Sequence, residues 1–418
     1  MRPRLARAVL IGAVALHLLC AGSILSQPLD PHTPPQTARS VTWRLHYDSV
    51  TWPGPGADFF ALYHAGVQVR RGESPFAADE QPRVTPYFFR YLYGPVLAHS
   101  LGAVVAGLPP GPAYRMWGLA LEAALCAFVL VWRRQPMPEG ARLTGTVVLL
   151  LSAPYFLELH MGQFTFAAAS LALIGVSLAA RRAPAAAGPV LLAAATLVKL
   201  FPVVGILALW RTRSMRTTAI GGAAVALVMV AGAWAYPRET AELARLNMLD
   251  DTTAPHPGHM GLLHLVRLML AAAGLIAPAA PGWGYAGPIV LAVALGLTAT
   301  IVIRRRMPPI EAFALLLFAF LLAFYRVAEH HFSAMLLTAV AVYPMVACST
   351  LSRADKRLFA GLLIAVALPT PYALLDPDPA TWSTAATVLV AASKSLPAAG
   401  LFGTALHANS RQPTCSST

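Results

Sequence analysis

The stretch PPIEAFALLLFAFLLAFY, residues 308–325, carries a single charged side chain, Glu311, near its start. A helix that is apolar on every side is either enclosed in a large core or spans a membrane. Runs of this kind recur along the chain and approach the length needed to cross about 30 Å of hydrocarbon. They are found at 6–26, 113–132, 144–159, 163–180, 217–236, 285–303, 308–325, 331–349, 357–374 and 382–405.

The composition agrees with this interpretation. Hydrophobic residues make up 57% of the 418 residues and charged residues only 12%, whereas roughly 25% of a soluble domain is charged. The sequence therefore predicts an all-α polytopic membrane protein, with residues 1–418 forming a single integral membrane domain. The net charge of +13 is interpreted as anchoring charge on the cytoplasmic side, and we expect no nucleic-acid partner.

Basic residues in short loops mark the cytoplasmic side of a membrane protein. Two apolar stretches, 91–108 and 186–210, are ambiguous as spans. If the first dips into the outer leaflet and the second is a helical hairpin, five basic clusters share one face, and about 12 transmembrane helices result. A full crossing by 91–108 would move those clusters outside, and the sequence alone leaves this point open. For 6–26 we expect an uncleaved anchor, with a cleaved signal peptide as the alternative. The clusters are Arg133/Arg134/Arg142, Arg181/Arg182, Arg211/Arg213/Arg216, Arg304/Arg305/Arg306 and Arg353/Lys356/Arg357.

This topology places two long segments outside the cytoplasm. The first extracytoplasmic loop, 27–112, includes an amphipathic stretch from Asp58 to Arg71 that is predicted to lie at the membrane interface. The second segment is 237–284, and residues 406–418 form a cytoplasmic tail. Because long loops gathered on one face often carry function, we expect the active site on the extracytoplasmic side.

Two ionisable residues are the strongest candidates for chemistry. Asp58 opens the amphipathic stretch, where it is either a helix N-cap or a base whose pKa is tuned by desolvation. Lys199 interrupts an apolar segment just before Pro202; it is either a snorkelling structural lysine or a functional cation. A cation at a broken helix near the outer surface suits a phosphate group.

Further candidates lie in tight external turns. His160 and Gln163 flank Gly162 and could donate hydrogen bonds. Arg326 could hold a phosphate through its fork of donors, and one of the neighbouring histidines could bind sugar hydroxyls. Arg70 and Arg71 could contact lipid headgroups or a lipid-borne phosphate. Glu122 is expected to be buried against a polar partner, and Lys394 similarly. The later external turn comprises Tyr325, Arg326, Glu329, His330 and His331.

Several common site motifs are absent from the sequence. It has no Walker loop, GxGxxG, HExxH or GxSxG pattern, and no Cys/His spacing typical of zinc. Adjacent histidines on a helix point in different directions, so a metal shared by His330 and His331 is not expected. We predict no metal and no cofactor, and a soluble nucleotide-sugar enzyme is disfavoured.

The order of short motifs resembles glycosyltransferase family 87, the polyprenyl-phosphate-mannose-dependent transferases of the C-type glycosyltransferase superfamily. The resemblance covers roughly residues 55–350. It rests on Asp58-Phe59-Phe60-Ala61-Leu62-Tyr63-His64-Ala65-Gly66, Gly72-Glu73-Ser74-Pro75-Phe76, Tyr93-Gly94-Pro95, Gly162-Gln163, Lys199-Leu200-Phe201-Pro202 and His259-Met260-Gly261-Leu262-Leu263.

The resemblance implies a hexosyltransferase of the bacterial inner membrane with a C-type glycosyltransferase bundle. It would transfer a hexose, with mannose as the expected sugar, from a polyprenyl-phosphate donor to a glycolipid or glycan hydroxyl with inversion. Asp58 would be the general base, and Lys199 and Arg326, with Arg70 or Arg71 behind them, would bind the donor phosphate. The sugar or acceptor would contact Tyr63, His160, Gln163, His259, Glu329, His330 and His331.

Two other functions remain open from the sequence. A transporter or flippase of lipid-linked sugars also places charges at broken helices, although no pair of similar halves is evident. The chain could also bind polyprenyl phosphate without turnover. Transfer that is abolished by Asp58→Ala would support the enzyme, whereas vectorial movement that survives this change would support the transporter.

Overall fold

The computed structural model of the protein is helical, without a strand, across the residues that it describes. The predicted loop residues 30–54 and 247–258 and the tail residues 409–418 lie outside this part. The described residues are 3–29, 55–77, 84, 90–180, 186–210, 215–246, 259–276, 283–324, 326–371, 375 and 381–408.

The helices are numbered in chain order. In the first half they are α1 Pro3–Leu25, α2 Ala57–Arg70, α3 Pro95–Val105, α4 Pro110–Trp132, α5 Glu139–Leu150, α6 Ala153–Met161, α7 Thr165–Ala180 and α8 Ala187–Val198. In the second half they are α9 Gly205–Leu209, α10 Met215–Ala235, α11 Pro237–Ala244, α12 Leu262–Ala272, α13 Trp283–Arg304, α14 Pro309–Ala323, α15 Phe332–Cys348, α16 Arg353–Ala367 and α17 Thr384–Ala408. Two 3₁₀ turns, Phe201–Val204 and Glu329–His331, precede α9 and α15.

Seven helical segments within the described residues are long and apolar enough to cross a membrane, which confirms an all-α polytopic membrane protein. Five further apolar helices, among them α7, α8 and α14, have 10–17 residues, and the total of 12 crossings stays a prediction. The seven are Arg4–Leu25, Pro110–Trp132, Glu139–Met161, Thr218–Ala235, Gly287–Arg304, Glu329–Cys348 and Thr384–Ala408.

The centre of the bundle is built from α14 and α15. In α14 almost every residue from Ala312 to Ala323 is buried, because the helix packs between α7, α13, α15 and α17. An apolar surface on all sides is what such a central helix requires. The outer spans instead expose large apolar side chains such as Leu130, Trp234 and Leu297, as a lipid-facing surface does.

A buried polar cluster joins α1, α4 and α6. His17 Nε2 lies 2.7 Å from Glu122 Oε2, and Nδ1 lies 2.6 Å from the Leu150 carbonyl oxygen. Tyr155 donates its hydroxyl proton to Glu122 Oε1 at 3.0 Å. The expectation that Glu122 has a polar partner is thus confirmed, although the sequence analysis did not single out His17.

The helix that carries Asp58 packs directly on α3. At Gly66 the backbone of α2 approaches Gly102 so closely that a Cβ atom would overlap the Gly102 carbonyl oxygen. α3 contains a π-helical turn, Ala98–Gly102. Its His99 Nε2 lies 3.1 Å from Glu239 Oε2 of α11, and the His99 ring stacks on Tyr236. Helix α3 is therefore fixed between α2 and α11.

Gly66→Ala is expected to destabilise the protein by about 1–3 kcal/mol, because the methyl group forces two backbones apart. Thermal unfolding in detergent measures the effect. Gly222→Ala is the matched control, since a Cβ there meets no atom within 4 Å and alanine favours a helix. Equal melting temperatures for the two variants would contradict the close contact between α2 and α3.

Candidate functional site

Asp58 lies in the first turn of α2 and is largely buried. The turn before it is set by Gly56, which has φ +72° and donates its N–H to the His160 carbonyl oxygen at 2.7 Å. A left-handed backbone conformation at this position favours glycine. The sequence prediction of a helix beginning at Asp58 is confirmed, since α2 begins one residue earlier.

The amphipathic character predicted for this segment is wrong. Residues 57–66 and Gln68 are all buried, because α2 packs against α3 on one side and α4 and α6 on others. Phe59 and Phe60 pack against the buried ring of Tyr114. Asp58 is therefore held inside the bundle by an aromatic cluster and does not sit on a helix with one open face.

Tyr93 links Asp58 to the Gly162-Gln163 turn. Its hydroxyl oxygen lies 3.4 Å from Asp58 Oδ1 and 3.2 Å from Gln163 Oε1, so its single proton can serve either acceptor. Burial, reinforced by the Asp58 carboxylate, raises the pKa of Tyr93 well above its ordinary value of 10.0. The phenol therefore stays protonated and acts as a donor.

The Gly162-Gln163 turn has a tightly packed backbone. Gly162 has φ +65°, and a Cβ atom there would lie 2.5 Å from Phe59 Cβ. Gln163 donates its N–H to the Glu158 carbonyl oxygen at 2.9 Å and accepts from Trp117 Nε1 at 3.3 Å. The buried His160 accepts through its carbonyl oxygen from the Tyr114 hydroxyl at 2.9 Å. This turn thus brings His160 and Gln163 beside the Asp58 helix.

Lys199 lies where the chain leaves α8. Its backbone is extended, with φ −147° and ψ 149°, and ends the helix before the 3₁₀ turn at Phe201. The ammonium group donates to Thr165 Oγ1 at 2.7 Å and lies 5.9 Å from the centroid of the Tyr93 ring. Desolvation lowers the pKa of Lys199 to about 8, against the opposing effect of the Glu158 and Asp58 carboxylates.

Glu158 is a member of the site that the sequence analysis did not single out. Its side chain is fully buried in α6, where it accepts hydrogen bonds from the Phe166 amide and the Ser333 hydroxyl. It also interacts electrostatically with Lys199 and Asp58. The sequence did contain a signal for Glu158, because it is a lone carboxylate in an apolar run just before the Gly162 turn. An ionisable residue in such a run is a functional candidate, as was argued for Lys199.

The paired histidines complete this end of the bundle. Their 3₁₀ turn packs against α6 and α7, within electrostatic reach of Lys199. The His330 and His331 ring centroids are 4.2 Å apart, and His331 Nδ1 accepts from the Ala328 amide at 3.1 Å. His330 is buried, and neither ring nitrogen has a hydrogen-bond partner among the described residues. His259 lies within electrostatic reach of His331.

Not every predicted site residue joins this cluster. Arg70 and Arg71 are exposed at the far end of α2, about 18 Å from Asp58 at about 1.5 Å of rise per residue. Their assignment to the donor phosphate stays a prediction. The Tyr63 hydroxyl donates to the Leu108 carbonyl oxygen at 2.8 Å. Arg326 is half-buried and lies just before the 3₁₀ turn Glu329–His331, which we call the histidine turn.

The Glu329 carboxylate contacts the middle of α17 and the residues that follow α16. It lies 3.3 Å from the ammonium of Lys394, which is almost completely buried. The expectation that Lys394 has a polar partner is confirmed. Within the described ranges, no three His, Cys, Asp or Glu side chains converge as metal ligands do.

The arrangement places a carboxylate, an ammonium group and several hydrogen-bonding side chains at one end of a helical bundle. Such a site can accept a proton from a hydroxyl and bind an anionic group beside it. A comparison with curated proteins finds no match. The sequence model of glycosyltransferase family 87 matches residues 91–325, which is more than half of the chain and confirms the resemblance drawn from the motifs. The protein thus belongs to glycosyltransferase family 87 and is a membrane glycosyltransferase.

Proposed function

We propose that the protein transfers a hexose, mannose in the simplest case, from a polyprenyl-phosphate sugar to a hydroxyl of a glycolipid or glycan, with inversion. The observation that carries this proposal is the meeting of Asp58 and Lys199 around Tyr93. The Tyr93 hydroxyl contacts the carboxylate, while its ring lies beside the ammonium group. One potential base and one cation thus share a single cluster, as this reaction requires.

In the proposed reaction, Asp58 is the general base. It removes the proton from the acceptor hydroxyl, whose oxygen attacks the anomeric carbon of the donor. The bond between that carbon and the phosphate oxygen breaks, and its electron pair leaves with the polyprenyl phosphate. Because the nucleophile enters opposite the leaving group, the anomeric configuration inverts. The acceptor proton ends on Asp58.

Lys199 would stabilise the charge that develops on the departing phosphate, and Arg326 remains a second candidate for this role. Gln163, His160, His259, His330 and His331 are the proposed contacts of the sugar or acceptor. A lipid-borne leaving group is compatible with a site at one end of a membrane bundle and needs no nucleotide pocket.

Two spans support an active site on the extracytoplasmic side of a bacterial inner membrane. Glu139–Met161 has Arg142 in its first turn and His160 at its other end. Glu329–Cys348 begins at the histidine turn and is followed by the basic start of α16, Arg353. In both, the site lies opposite the basic end, which is the cytoplasmic end under the positive-inside rule.

The purified protein in proteoliposomes tests this function. With radiolabelled polyprenyl-phosphate mannose and a bacterial glycolipid fraction, we expect label in a new glycosidic bond whose inverted configuration NMR determines. Nucleotide-activated mannose is the control and should give no product. Movement of the lipid-linked sugar across the bilayer without a new glycosidic bond would contradict the proposal and favour a flippase.

The pH dependence of the reaction is expected to reflect Lys199. The donor phosphate stays anionic between pH 7 and 9, whereas a lysine with a pKa of about 8 loses its charge over that range. The kcat/KM for the donor, which reports groups of the free enzyme, should therefore fall about tenfold from pH 7 to pH 9. Lys199→Arg, which stays charged, should flatten this part of the profile. An unchanged profile in that variant would assign the titration to another group.

A further inference from the structure

Lys394 lies inside α17, and each N–H group of its ammonium has an acceptor. It donates to the Val366 carbonyl oxygen at 2.8 Å, to the Leu368 carbonyl oxygen and to Glu329, whose Oε1 lies 3.3 Å away. An ammonium group has three N–H donors, so each has one partner. Val366 and Leu368 stand at the C-terminal end of α16, where helix carbonyl groups need external donors.

Glu329 receives a second contact from the same region. Its Oε1 also accepts from the Thr370 amide at 3.3 Å, so the carboxylate and the ammonium tie together three segments of chain. These segments are the histidine turn, the end of α16 with the residues that follow it, and the middle of α17.

The histidine turn links this ion pair to the site. A 3₁₀ turn has about three residues per turn, so Glu329 points in a different direction from His330 and His331. On the site side, His330 and His331 lie within electrostatic reach of Lys199, and Ser333 donates to Glu158. On the other side, Glu329 is held by Lys394. The turn is thus fixed from both sides.

We propose that Lys394 and Glu329 are positioning residues that set the orientation of the histidine turn for sugar transfer; this inference rests on the proposed function. A buried ion pair often stabilises a fold no more than an apolar pair of the same volume does. Here the ion pair fixes the orientation of both side chains, because three acceptors hold the ammonium group and two donors hold the carboxylate. Glu329 then acts through the histidines and does not itself touch the sugar.

Three variants separate positioning from general stability. E329Q keeps the shape of the side chain but removes its charge, and K394M leaves Glu329 buried without a cation. The double variant E329Q/K394M removes both charges, so it should fold better than K394M. Glu122→Gln is the matched control, because it weakens another enclosed ion pair, that with His17, which does not contact the histidine turn.

For E329Q and for the double variant we expect kcat to fall by about tenfold to a hundredfold, the effect of a small misplacement in a site. The KM for the donor should change less than about twofold. Amide hydrogen exchange of residues 328–333 should accelerate in both variants. Glu122→Gln should lower the melting temperature while kcat and this exchange stay at wild-type values.

Wild-type kcat in the double variant would overturn the inference, as would unchanged exchange of residues 328–333 in E329Q. A loss of kcat of the same size in Glu122→Gln would also overturn it, since any damaged ion pair would then have the same effect. Amide hydrogen exchange of residues 328–333 is measured without substrate, so it does not depend on the proposed function. If the wild-type protein formed no product from polyprenyl-phosphate mannose, the proposed function would fail, and the exchange result would still decide whether the ion pair orders the turn.

Discussion

Asp58→Asn is expected to lower kcat for sugar transfer by about 10²–10⁴-fold, the usual contribution of a general base. The amide has nearly the shape of the carboxylate and can still accept the Tyr93 hydroxyl proton, so helix α2 should fold as before. It cannot take the proton from the acceptor. The measurement is the initial rate of label transfer at saturating donor and acceptor, with the melting temperature as a check on folding.

The control for this experiment is Glu73→Gln. Glu73 is an exposed carboxylate just after α2, in the same predicted external loop, and its replacement should leave kcat within about twofold, as expected of an exposed residue outside the site. Binding of polyprenyl phosphate by Asp58→Asn should also persist. A folded Asp58→Asn protein with wild-type kcat would exclude Asp58 as the base and would leave Glu158 as the nearest alternative carboxylate.

Lys199→Met is expected to reduce kcat/KM for the donor by about 10²–10³-fold, the cost of losing one group that stabilises developing charge. Methionine has a similar length and fills the space between Thr165 and the Tyr93 ring, so the loss reflects charge. Lys199→Arg should retain part of the activity, because its guanidinium keeps the charge but not the contact geometry.

The sequence offers a natural control for Lys199, since it contains only three lysines. Lys356→Met removes the lysine in the first turns of α16 and should leave kcat/KM unchanged. Equal losses in Lys199→Met and Lys356→Met would mean that general charge, and not a phosphate contact at the site, controls the reaction. Retained kcat/KM in Lys199→Met would move the phosphate role to Arg326.

The local sequence pattern predicted several features of the structure. The helix that begins near Asp58, the break at Lys199 and the tight turn at Gly162 follow from residues within a few positions of each other. The apolar runs correctly predicted a membrane bundle. The buried polar partners of Glu122 and Lys394 were also expected, because an unpaired charge inside a membrane is costly.

The identity of distant partners could not be predicted in this way. Glu158 and Ser333 are 175 positions apart, and His17 and Glu122 are 105 apart; no local period encodes such contacts. The burial of α2 was missed for a related reason, since its polar residues pack against helices whose placement depends on the whole bundle. Tyr93 was recognised only as part of a motif, because its contact with both Asp58 and Gln163 exists only once three segments have met.

The contact between Lys394 and Glu329 also bears on the biosynthesis of the protein. The ribosome makes Glu329 first, and its cation, Lys394, follows only later, as part of α17. Until that helix has left the translocon and entered the lipid, the carboxylate lacks its counter-ion and the histidines lack their anchor. If the proposed roles hold, a nascent or truncated chain without α17 would contain Asp58 but lack the cation that fixes the histidine turn, so that the ability to turn over substrate would arise only after α17 has inserted.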